Sequence, residues 1–592
     1  MDLLGLSTGD TGAAAALVRD GRVVAAAAEE RFTRQRLDPN YPRFAADFCL
    51  GGRPAAELDG VAVCGDPADR FTRVLVGSLG AGFPRGAPAF VRNMKAWVGH
   101  RLWTRDEVSR RLDVHPASIT FVPRHRCLAA QAWQASGWED AATLVVDDVG
   151  EWACSAVFGP RLEERETVPY PHSLGLVTAA IAALVGLRPW EGRPALWDLA
   201  AWGRPIFAGR MRRVLQVRED GTYRVDPSLF RFAELFEAPH GTPWAPGLLD
   251  LFGSPRDPRR PFLFGADVAA ADPEDQRAAD VAASLQVVVE EVVLALARRV
   301  ATATGATRLC LSGSMAQNAS LVARLRRDGP FEGVFVPPEP SFGATGAALW
   351  VHAQRGGAPA GEAAPFVGRA YDAGRDLRAL AHLDPVYWQR FRRRGCRPVR
   401  DARLDVRQGL AVDALAALVA GDLADGRVAG WVEGRFEHGA HALGSRSVLA
   451  APADPEVARR LRERVTGLAS WRPLALAVAE EDVARVVAEP LADWWTAVPV
   501  PVREDVREAL RGGVHVDGTV RVLAVSAVRH PRLHALLRAW GARTGLAALL
   551  HAGLQEEEEP LAGSPADALI VFMRTELDTL VLGDAVVRKE YP

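Results

Sequence analysis

The sequence predicts an α/β fold whose N-terminal half contains a duplicated core. Three apolar runs at 2–6, 13–18 and 22–27 are separated by a Gly-rich loop and a turn, which predicts three successive strands. The same order returns near residue 143, where ATLVV, the acidic loop 147–151 and WACSAVFGP follow one another. Two copies of strand, polar loop and strand indicate that the core is repeated.

A duplicated core of this kind is typical of the ribonuclease-H-like or actin/hexokinase architecture, in which paired loops face a nucleotide phosphate. Farther along, Asp272 and Pro273 predict the start of a long amphipathic helix. The strand RLCLS then runs into GSMAQN and another helix, which is a natural anion-binding corner. An ordinary strand–helix connection has the same pattern. Gly313 and Asn318 are therefore candidate ligand contacts at this corner.

The chain has 592 residues, which is too long for a single core. Residues 354–368 are rich in Gly, Ala and Pro and predict a surface connection. We therefore expect a first domain over 1–355, a linker with connecting helices over 356–400, and a smaller α/β or α+β domain over 401–592. The last domain alternates helical patterns with short apolar strands.

Composition excludes several classes of partner. The chain is 48% hydrophobic and 24% charged, with a formal net charge of −2, so it has no basic excess for nucleic acid or anionic lipid. The six cysteines form no C-x-x-C pair and mostly lie in apolar runs, which indicates buried thiols in a reducing compartment. The first ten residues lack a basic n-region, and no apolar run is long enough to span a bilayer. We expect a cytoplasmic protein.

The most informative stretch is GRFEHGAHALGSRSVL at 434–449. Gly434, Gly439 and Gly444 permit close backbone approach, and Arg435 and Arg446 can bind phosphate or carboxylate oxygens in a fork. This combination predicts an oxyanion pocket. A Gly-rich turn with solvated arginines is the alternative.

The order of residues in this stretch resembles the carbamoyltransferases of the nodulation and antibiotic-tailoring family. The resemblance rests on E-x-G-x-x-A-L-G-x-R-S and a later Arg-Pro, which are carried by Glu437, Gly439, Gly444, Arg446, Ser447 and Arg472. A family-type E-F-G-P-R-A-L-G-N-R-S reads here as E-H-G-A-H-A-L-G-S-R-S, so a Pro and an Arg are replaced by Ala440 and His441.

The resemblance extends through the first half of the chain. Residues 29–34 (EERFTR) are similar to the family's E-E-R-F-x-R, and Asp148, Gly150 and Glu151 lie in a D-D-V-G-E that is similar to its D-G-x-G-E. GSMAQN is similar to G-G-V-A-L-N. The resemblance implies a tRNA-threonylcarbamoyl-transferase-like first domain and a threonylcarbamoyl-AMP-synthase-like second domain. In such a pair, ATP and carbamoyl phosphate give a carbamoyl adenylate, which the first domain transfers to an acceptor.

The first domain departs from the family pattern at the implied metal site. The family's H-D pair falls on Thr11 and Gly12, its two metal histidines fall on Arg124 and Leu128, and its third ligand falls near 340–342, where no Asp occurs. Leucine cannot bind a metal and Arg124 brings positive charge, so we expect no metal. His125 with Cys127 could form a soft site. Otherwise His125 is a structural or substrate-contacting histidine.

The second domain departs as well. The family's K-x-R falls on residues 466–468 (TGL), and its N-T-S-F-N falls on residues 551–555 (HAGLQ). Arg446, Ser447, Arg472 and Arg521 are retained. If carbamoyl transfer persists, the candidate groups for proton chemistry are three histidines, His125, His441 and His551.

Three functions fit this mixture of match and loss. The first is a diverged carbamoyltransferase that modifies a small natural product without the usual metal, with ATP as a candidate cofactor. The second is a non-catalytic homologue that binds a ligand or pairs with an active paralogue. The third is an enzyme with metal-free chemistry other than carbamoylation. The candidate partners are a small-molecule acceptor, carbamoyl phosphate and a second copy of the chain.

Overall fold

The computed structural model describes residues 1–9, 12–80, 91, 94–95, 97–99, 101–232, 235, 242–264, 272–339, 343–358, 361, 365–371, 403–491, 493–495 and 498–590. Thr11, residues 340–342, most of the predicted linker and Cys396, which is one of the six cysteines, lie outside these ranges. The chain divides into two compact units. The first comprises Met1–Glu29 and Leu37–Ala364, and the second comprises Glu30–Arg36 and Pro365–Pro592.

The first unit contains two five-stranded sheets built in the same order. The strands of the first sheet are β1 (Asp2–Ser7), β2 (Ala14–Arg19), β3 (Arg22–Ala28), β4 (Gly60–Cys64) and β5 (Ile119–Val122). Those of the second are β6 (Ala142–Val146), β7 (Ala153–Phe158), β8 (Glu164–Pro169), β11 (Arg308–Ser312) and β12 (Gly333–Phe335), while β9 (Leu215–Val217) and β10 (Tyr223–Val225) form a separate hairpin.

The orders β3-β2-β1-β4-β5 and β8-β7-β6-β11-β12 are equivalent. In each sheet three antiparallel strands are followed by two parallel ones. The duplicated α/β core and its strands are therefore confirmed.

The helices of the first unit surround these sheets. They are α1 (Arg43–Leu50), α2 (Pro67–Gly80), α3 (Thr104–Leu112), α4 (Arg124–Ser136), α5 (Leu174–Leu184), α6 (Arg193–Ala200), α7 (Ala208–Val214), α8 (Pro246–Phe252), α9 (Pro273–Thr304), α10 (Ala319–Asp328) and α11 (Gly343–Gln354). The predicted start of α9 is confirmed, because the Asp272 side chain accepts a hydrogen bond from the Glu274 amide. Helix α11 packs so closely on α4 that a Cβ at Gly346 would lie 1.8 Å from the Cys127 carbonyl oxygen.

The second unit is built on one nine-stranded mixed sheet. Its strands are β13 (Arg403–Arg407), β14 (Ala429–Val432), β15 (Arg446–Ala450), β16 (Ala475–Ala479), β17 (Pro499–Pro501), β18 (Thr519–Val525), β19 (Ala548–Gly553), β20 (Thr579–Leu582) and β21 (Ala585–Glu590). They lie in the order β13-β21-β20-β14-β15-β19-β16-β18-β17.

Alternation along these strands divides the core of the second unit into two layers. Helices α12 (Val412–Ala424) and α14 (Pro531–Thr544) cover one face, where Trp431, Leu449 and Leu549 are buried. Helices α13 (Pro455–Arg460) and α15 (Pro565–Arg574) contribute to the other face, with Val448 and Leu550. The predicted smaller α/β domain is thus confirmed as a mixed sheet between two apolar layers.

Two expectations from composition can be compared with the structure. Among the described cysteines, Cys49, Cys64, Cys127, Cys154 and Cys310 are all buried free thiols, as the sequence predicts. In the part of the chain that the structure describes, no helix is both long and apolar enough to cross a bilayer.

Candidate functional site

The loop between β6 and β7 brings three buried carboxylates together in the first unit. Arg124 holds Asp147, with its Nε 2.5 Å from Oδ2 and its second terminal nitrogen 3.4 Å from Oδ1. The Ser314 amide also donates to Asp147, at 3.0 Å. Burial alone would raise the pKa of Asp147, but the charge and hydrogen bonds of Arg124 hold it below its ordinary value. Asp147 is therefore a buried anion with its own cation.

The other two carboxylates of this loop are paired in the same way. Arg193 lies 2.5 Å from Asp148, which also accepts from the Ser314 hydroxyl. Glu151 accepts from Arg70 at 3.2 Å and from the amide of Arg124 at 3.0 Å. Burial opposes the ionisation of Glu151, but the Arg70 charge and these hydrogen bonds hold its pKa below the ordinary value.

The predicted anion-binding corner at 313–318 contacts this loop. Gly313 has φ 93°, and a Cβ there would lie 2.4 Å from the Val146 carbonyl oxygen, so the position requires glycine. Because the Ser314 amide and hydroxyl both donate to loop carboxylates, two donors of this corner are already used. Asn318 caps α10 by accepting from the Leu321 amide.

His125 lies on α4, beside Arg124, and contacts a different strand. Its Nε2 is 3.5 Å from a carboxylate oxygen of Glu164 on β8, and its ring stacks on Phe158 at 6.1 Å. The His125 contact, with Arg126, lowers the pKa of Glu164 to about 2. This setting suits a structural histidine, and a catalytic role for His125 stays a prediction.

The residues at the implied metal site do not fit a divalent ion. Arg124 is a guanidinium, and Leu128 is fully buried in an apolar cluster with Val145 and Phe158. Cys127, the other half of the suggested soft site, donates to the Val122 carbonyl. Within the described ranges, no group of three or more His, Cys, Asp or Glu side chains is arranged to hold a metal.

In the second unit, sheet register places three predicted site residues on neighbouring strands. Arg521 of β18 directly precedes Val522, which pairs with Leu476 of β16, and the neighbouring Ala475 of β16 pairs with His551 of β19. His551 in turn lies beside β15, where the Ser447 hydroxyl is 2.9 Å from its Nε2. Burial lowers the pKa of His551 to about 4. A neutral imidazole that is hydrogen-bonded to a hydroxyl therefore lies two strands away from an arginine.

The Gly-rich loop before β15 is held by a buried carboxylate. One oxygen of Glu437 accepts from the amides of Leu443, Ser445 and Arg446 at 2.9, 2.8 and 3.0 Å. Gly444 has φ 108°, and a Cβ there would lie 2.8 Å from the nearest ring nitrogen of His530. Glu437 and Gly444, together with Gly439 at φ 127°, therefore fix the path of this loop.

Arg446 has a different role from the predicted one. Its guanidinium makes five hydrogen bonds, all to backbone carbonyls, and the acceptors are Glu433, Gly434, Ser445 and twice Gly563. A guanidinium has five N–H groups, so none is left for an anion. Burial lowers the pKa of Arg446 to about 10. We therefore correct the predicted anion contact of Arg446 to an architectural role.

Three other arginines lie near enough to His441 for their charges to act on its ring. His441 is an exposed residue. The protein atoms around its ring displace water, and this loss of solvation, followed by the charges of Arg521, Arg472 and Arg36, lowers the pKa of the ring. Arg472 and Arg521 are predicted site residues, and all three arginines are partly buried residues. We name Arg36, Arg472, Arg521 and His441 the arginine cluster.

Arg36 was missed by the sequence reasoning because it lies far away in the chain. It belongs to the segment Glu30–Arg36, which is part of the second unit and includes the short helix Glu30–Thr33. Arg31 donates to the carbonyls of Glu437 and Gly439, and Arg34 donates to those of Pro560 and Leu561. The sequence did offer one signal of a site, because this segment contains three arginines within six residues.

Comparison with known proteins gives the family. A model described as the carbamoyltransferase N-terminus matches residues 2–349, and one described as the carbamoyltransferase C-terminus matches residues 420–589. The chain belongs to the carbamoyltransferase family.

Three relatives illustrate the range of this carbamoyltransferase family. An uncharacterised protein of Synechocystis sp. is 31% identical over 99% of this chain and 96% of its own length. Nodulation protein NolNO of Sinorhizobium fredii is 29% identical over 97% of this chain and 78% of its own length. A 3'-hydroxymethylcephem-O-carbamoyltransferase of Amycolatopsis lactamdurans is 34% identical over 28% of this chain and 31% of its own length. The resemblance to nodulation and antibiotic-tailoring carbamoyltransferases is confirmed.

Proposed function

We propose that this carbamoyltransferase-family chain transfers a carbamoyl group to a small-molecule acceptor and that its second unit binds the phosphate groups of the donor. The observation that carries the proposal is the arginine cluster around His441. Guanidinium groups bind phosphate oxygens in a planar fork, and several like charges together create a potential that favours a polyanion. ATP and carbamoyl phosphate, which the family resemblance implies, are both anions of this kind.

The transfer step follows from the chemistry of a carbamoyl adenylate. The acceptor hydroxyl attacks the carbamoyl carbon, a C–O bond to the acceptor forms, the C–O bond to the phosphate breaks, and AMP leaves. The hydroxyl proton must pass to a base. The best general base has a pKa near the working pH, so a pKa of about 4 favours His551 as a hydrogen-bonding contact of the ligand.

A non-catalytic ligand-binding protein is the second candidate, and one observation favours it. The family's K-x-R falls on Thr466, Gly467 and Leu468, and Thr466 donates its hydroxyl to the carbonyls of Leu461 and Arg462. Two cations of the family pattern are therefore absent from this position. In our proposal, Arg36, which comes from the first part of the sequence, supplies a positive charge in place of one of these two missing cations.

The experiment combines turnover with binding. The full chain is incubated with ATP, labelled carbamoyl phosphate and a panel of hydroxyl-bearing small molecules, and AMP release and carbamoylated product are measured. We expect AMP release that Arg521→Ala lowers by roughly 10–100-fold, since a charge-assisted hydrogen bond contributes about 1.5–3 kcal/mol. The matched control is Arg507→Ala, because Arg507 is an exposed arginine paired with Glu504.

The outcomes separate the two candidates. Binding of ATP that depends on Arg521, with no AMP release under any condition, would favour the non-catalytic protein. AMP release without a carbamoylated product would mean that activation occurs and that the acceptor is missing from the panel. The absence of both ATP binding and turnover would overturn the proposal.

A further inference from the structure

The carboxylates of the loop 147–151 are matched one to one by arginines from other parts of the first unit. Each pair is buried or partly buried, and the pairs are Asp147 with Arg124, Asp148 with Arg193 and Glu151 with Arg70. The carboxylate side chains are only 4%, 7% and 5% exposed. Three isolated anions at this depth would be strongly unfavourable, so the arginines are what makes the loop stable.

These pairings also occupy the oxygens that a metal would need. One oxygen of Asp147 accepts from Arg124 and from the Ser314 amide, and the other accepts from the Nε of Arg124. Both oxygens of Glu151 are used as well, by Arg70 and the Asp66 amide on one side and by the Arg124 amide on the other. A hard divalent ion binds through such carboxylate oxygens, so it would have to displace several hydrogen bonds.

Helix preference does not explain the position of Arg124. It is the first residue of α4, a helix of 13 residues, and a cation is disfavoured at a helix N-terminus by the helix dipole. Its side chain is nevertheless only 4% exposed and turned to Asp147. Arg124 is therefore kept in this buried position, which the helix dipole disfavours, by its partner carboxylate Asp147.

We propose that the guanidinium groups of Arg124, Arg193 and Arg70 take the place of a divalent metal in the first unit. They neutralise the three carboxylates of the loop and exclude a metal ion by charge repulsion. The first unit then binds its ligand without a metal bridge. This inference concerns metal binding alone and does not rest on the proposed function.

The test uses the metal ion as the probe. The full chain and its Arg124→His variant are titrated with Zn²⁺ and Mn²⁺ in a calorimeter, and metal content is measured after dialysis. We expect no stoichiometric binding by the wild type. Arg124→His removes the fixed charge and presents an imidazole beside Asp147, so we expect it to bind Zn²⁺ at least roughly 10-fold more tightly. The matched control is Arg213→His, because Arg213 is an exposed arginine on α7 of the same unit and the change should leave metal binding unchanged.

Each outcome decides the proposal. Stoichiometric metal in the wild type that is lost on Asp147→Asn would overturn it, and so would an Arg124→His variant that folds and binds no metal. Circular dichroism and gel filtration establish folding first. If Arg124→His does not fold, Arg193→His replaces it, since the Arg193 side chain is more exposed than that of Arg124, at 12% against 4%, and faces Asp148. Failure here leaves carbamoyl transfer untouched, because no turnover is measured.

Discussion

In the first unit each carboxylate of the loop 147–151 is held by an arginine, whereas in the second unit the charges of Arg36, Arg472 and Arg521 act on one imidazole, that of His441. The same residue type thus pairs with buried carboxylates in one place and lies near other cations in another. A neutralised buried cluster is costly to disrupt, since loss of either partner leaves an unpaired ion. A cluster of like charges instead gains stability when an anion binds. Substitutions should therefore affect mainly stability in the first unit and mainly ligand binding in the second.

The largest effect is expected for Arg124→Met. It leaves Asp147 charged and buried without its cation, and breaking one partner of such a pair costs about 3–5 kcal/mol in the free energy of unfolding. The double change Arg124→Met with Asp147→Asn removes both charges and should recover most of this loss. Urea unfolding of the full chain measures both. An additive effect of the two changes would contradict the pairing.

The second effect is a dependence of stability on pH through His551. Its folded pKa of about 4 lies below the ordinary value of 6.5, so between these values the unfolded chain binds more protons than the folded chain. The stabilising contribution is complete above pH 6.5 and is lost as the pH falls toward 4. It amounts to as much as about 3 kcal/mol, at 1.36 kcal/mol per pKa unit.

Urea unfolding at several values between pH 4 and 7.5 checks this window. His551→Asn should make the curve less steep there, because it removes one titrating ring and keeps a polar partner for Ser447. His438 and His530, whose pKa values burial also lowers to about 4, still titrate in this window. His115→Gln, a change at an exposed histidine, serves as the control. A curve for His551→Asn that matches the wild type would show that His551 does not contribute.

The third effect concerns the Gly-rich loop of the second unit. Glu437→Gln keeps the shape of the side chain but removes the negative charge that accepts three backbone amides. Hydrogen bonds to charged groups contribute about 1.5–3 kcal/mol, so we expect a loss of this order. The exposed Glu504→Gln is the control. Unchanged stability would mean that the loop does not depend on the carboxylate.

The sequence predicts the fold well because its local patterns are strong. The apolar runs at 2–6 and 22–27 lie within β1 and β3, and the acidic loop at 147–151 lies between β6 and β7 as expected. Alternation and turn residues act over a few residues, so they can be recognised without the structure.

The pairings within the sites could not be predicted, because they join residues that are far apart in the chain. Arg70 is 81 residues from Glu151, and Arg193 is 45 residues from Asp148. Arg31 meets Glu437 across 406 residues. The three arginines of the segment Glu30–Arg36 indicate a site, but no local pattern shows that the segment belongs to the second unit. Arg446 shows the other difficulty. A motif identifies a residue type, but only the structure shows that carbonyls take its donors.

The smallest effect is expected for the change of arginine to lysine at Arg472 and Arg446. Because the two arginines are proposed to have different roles within the second unit, the same change should have different consequences at the two positions. A lysine keeps the charge and loses the planar fork, so it discriminates between a residue that binds an anion and one that holds a loop. Arg472→Lys should weaken ATP binding by roughly 3–10-fold, which is about the loss of one neutral hydrogen bond, and should leave stability unchanged. Arg446→Lys should lower stability instead, because a lysine has three donors for carbonyls that now accept five hydrogen bonds. Calorimetry and urea unfolding are run on both variants. If both variants lose only stability, the arginine cluster is architectural as well, and the two units do not differ in how they use arginine.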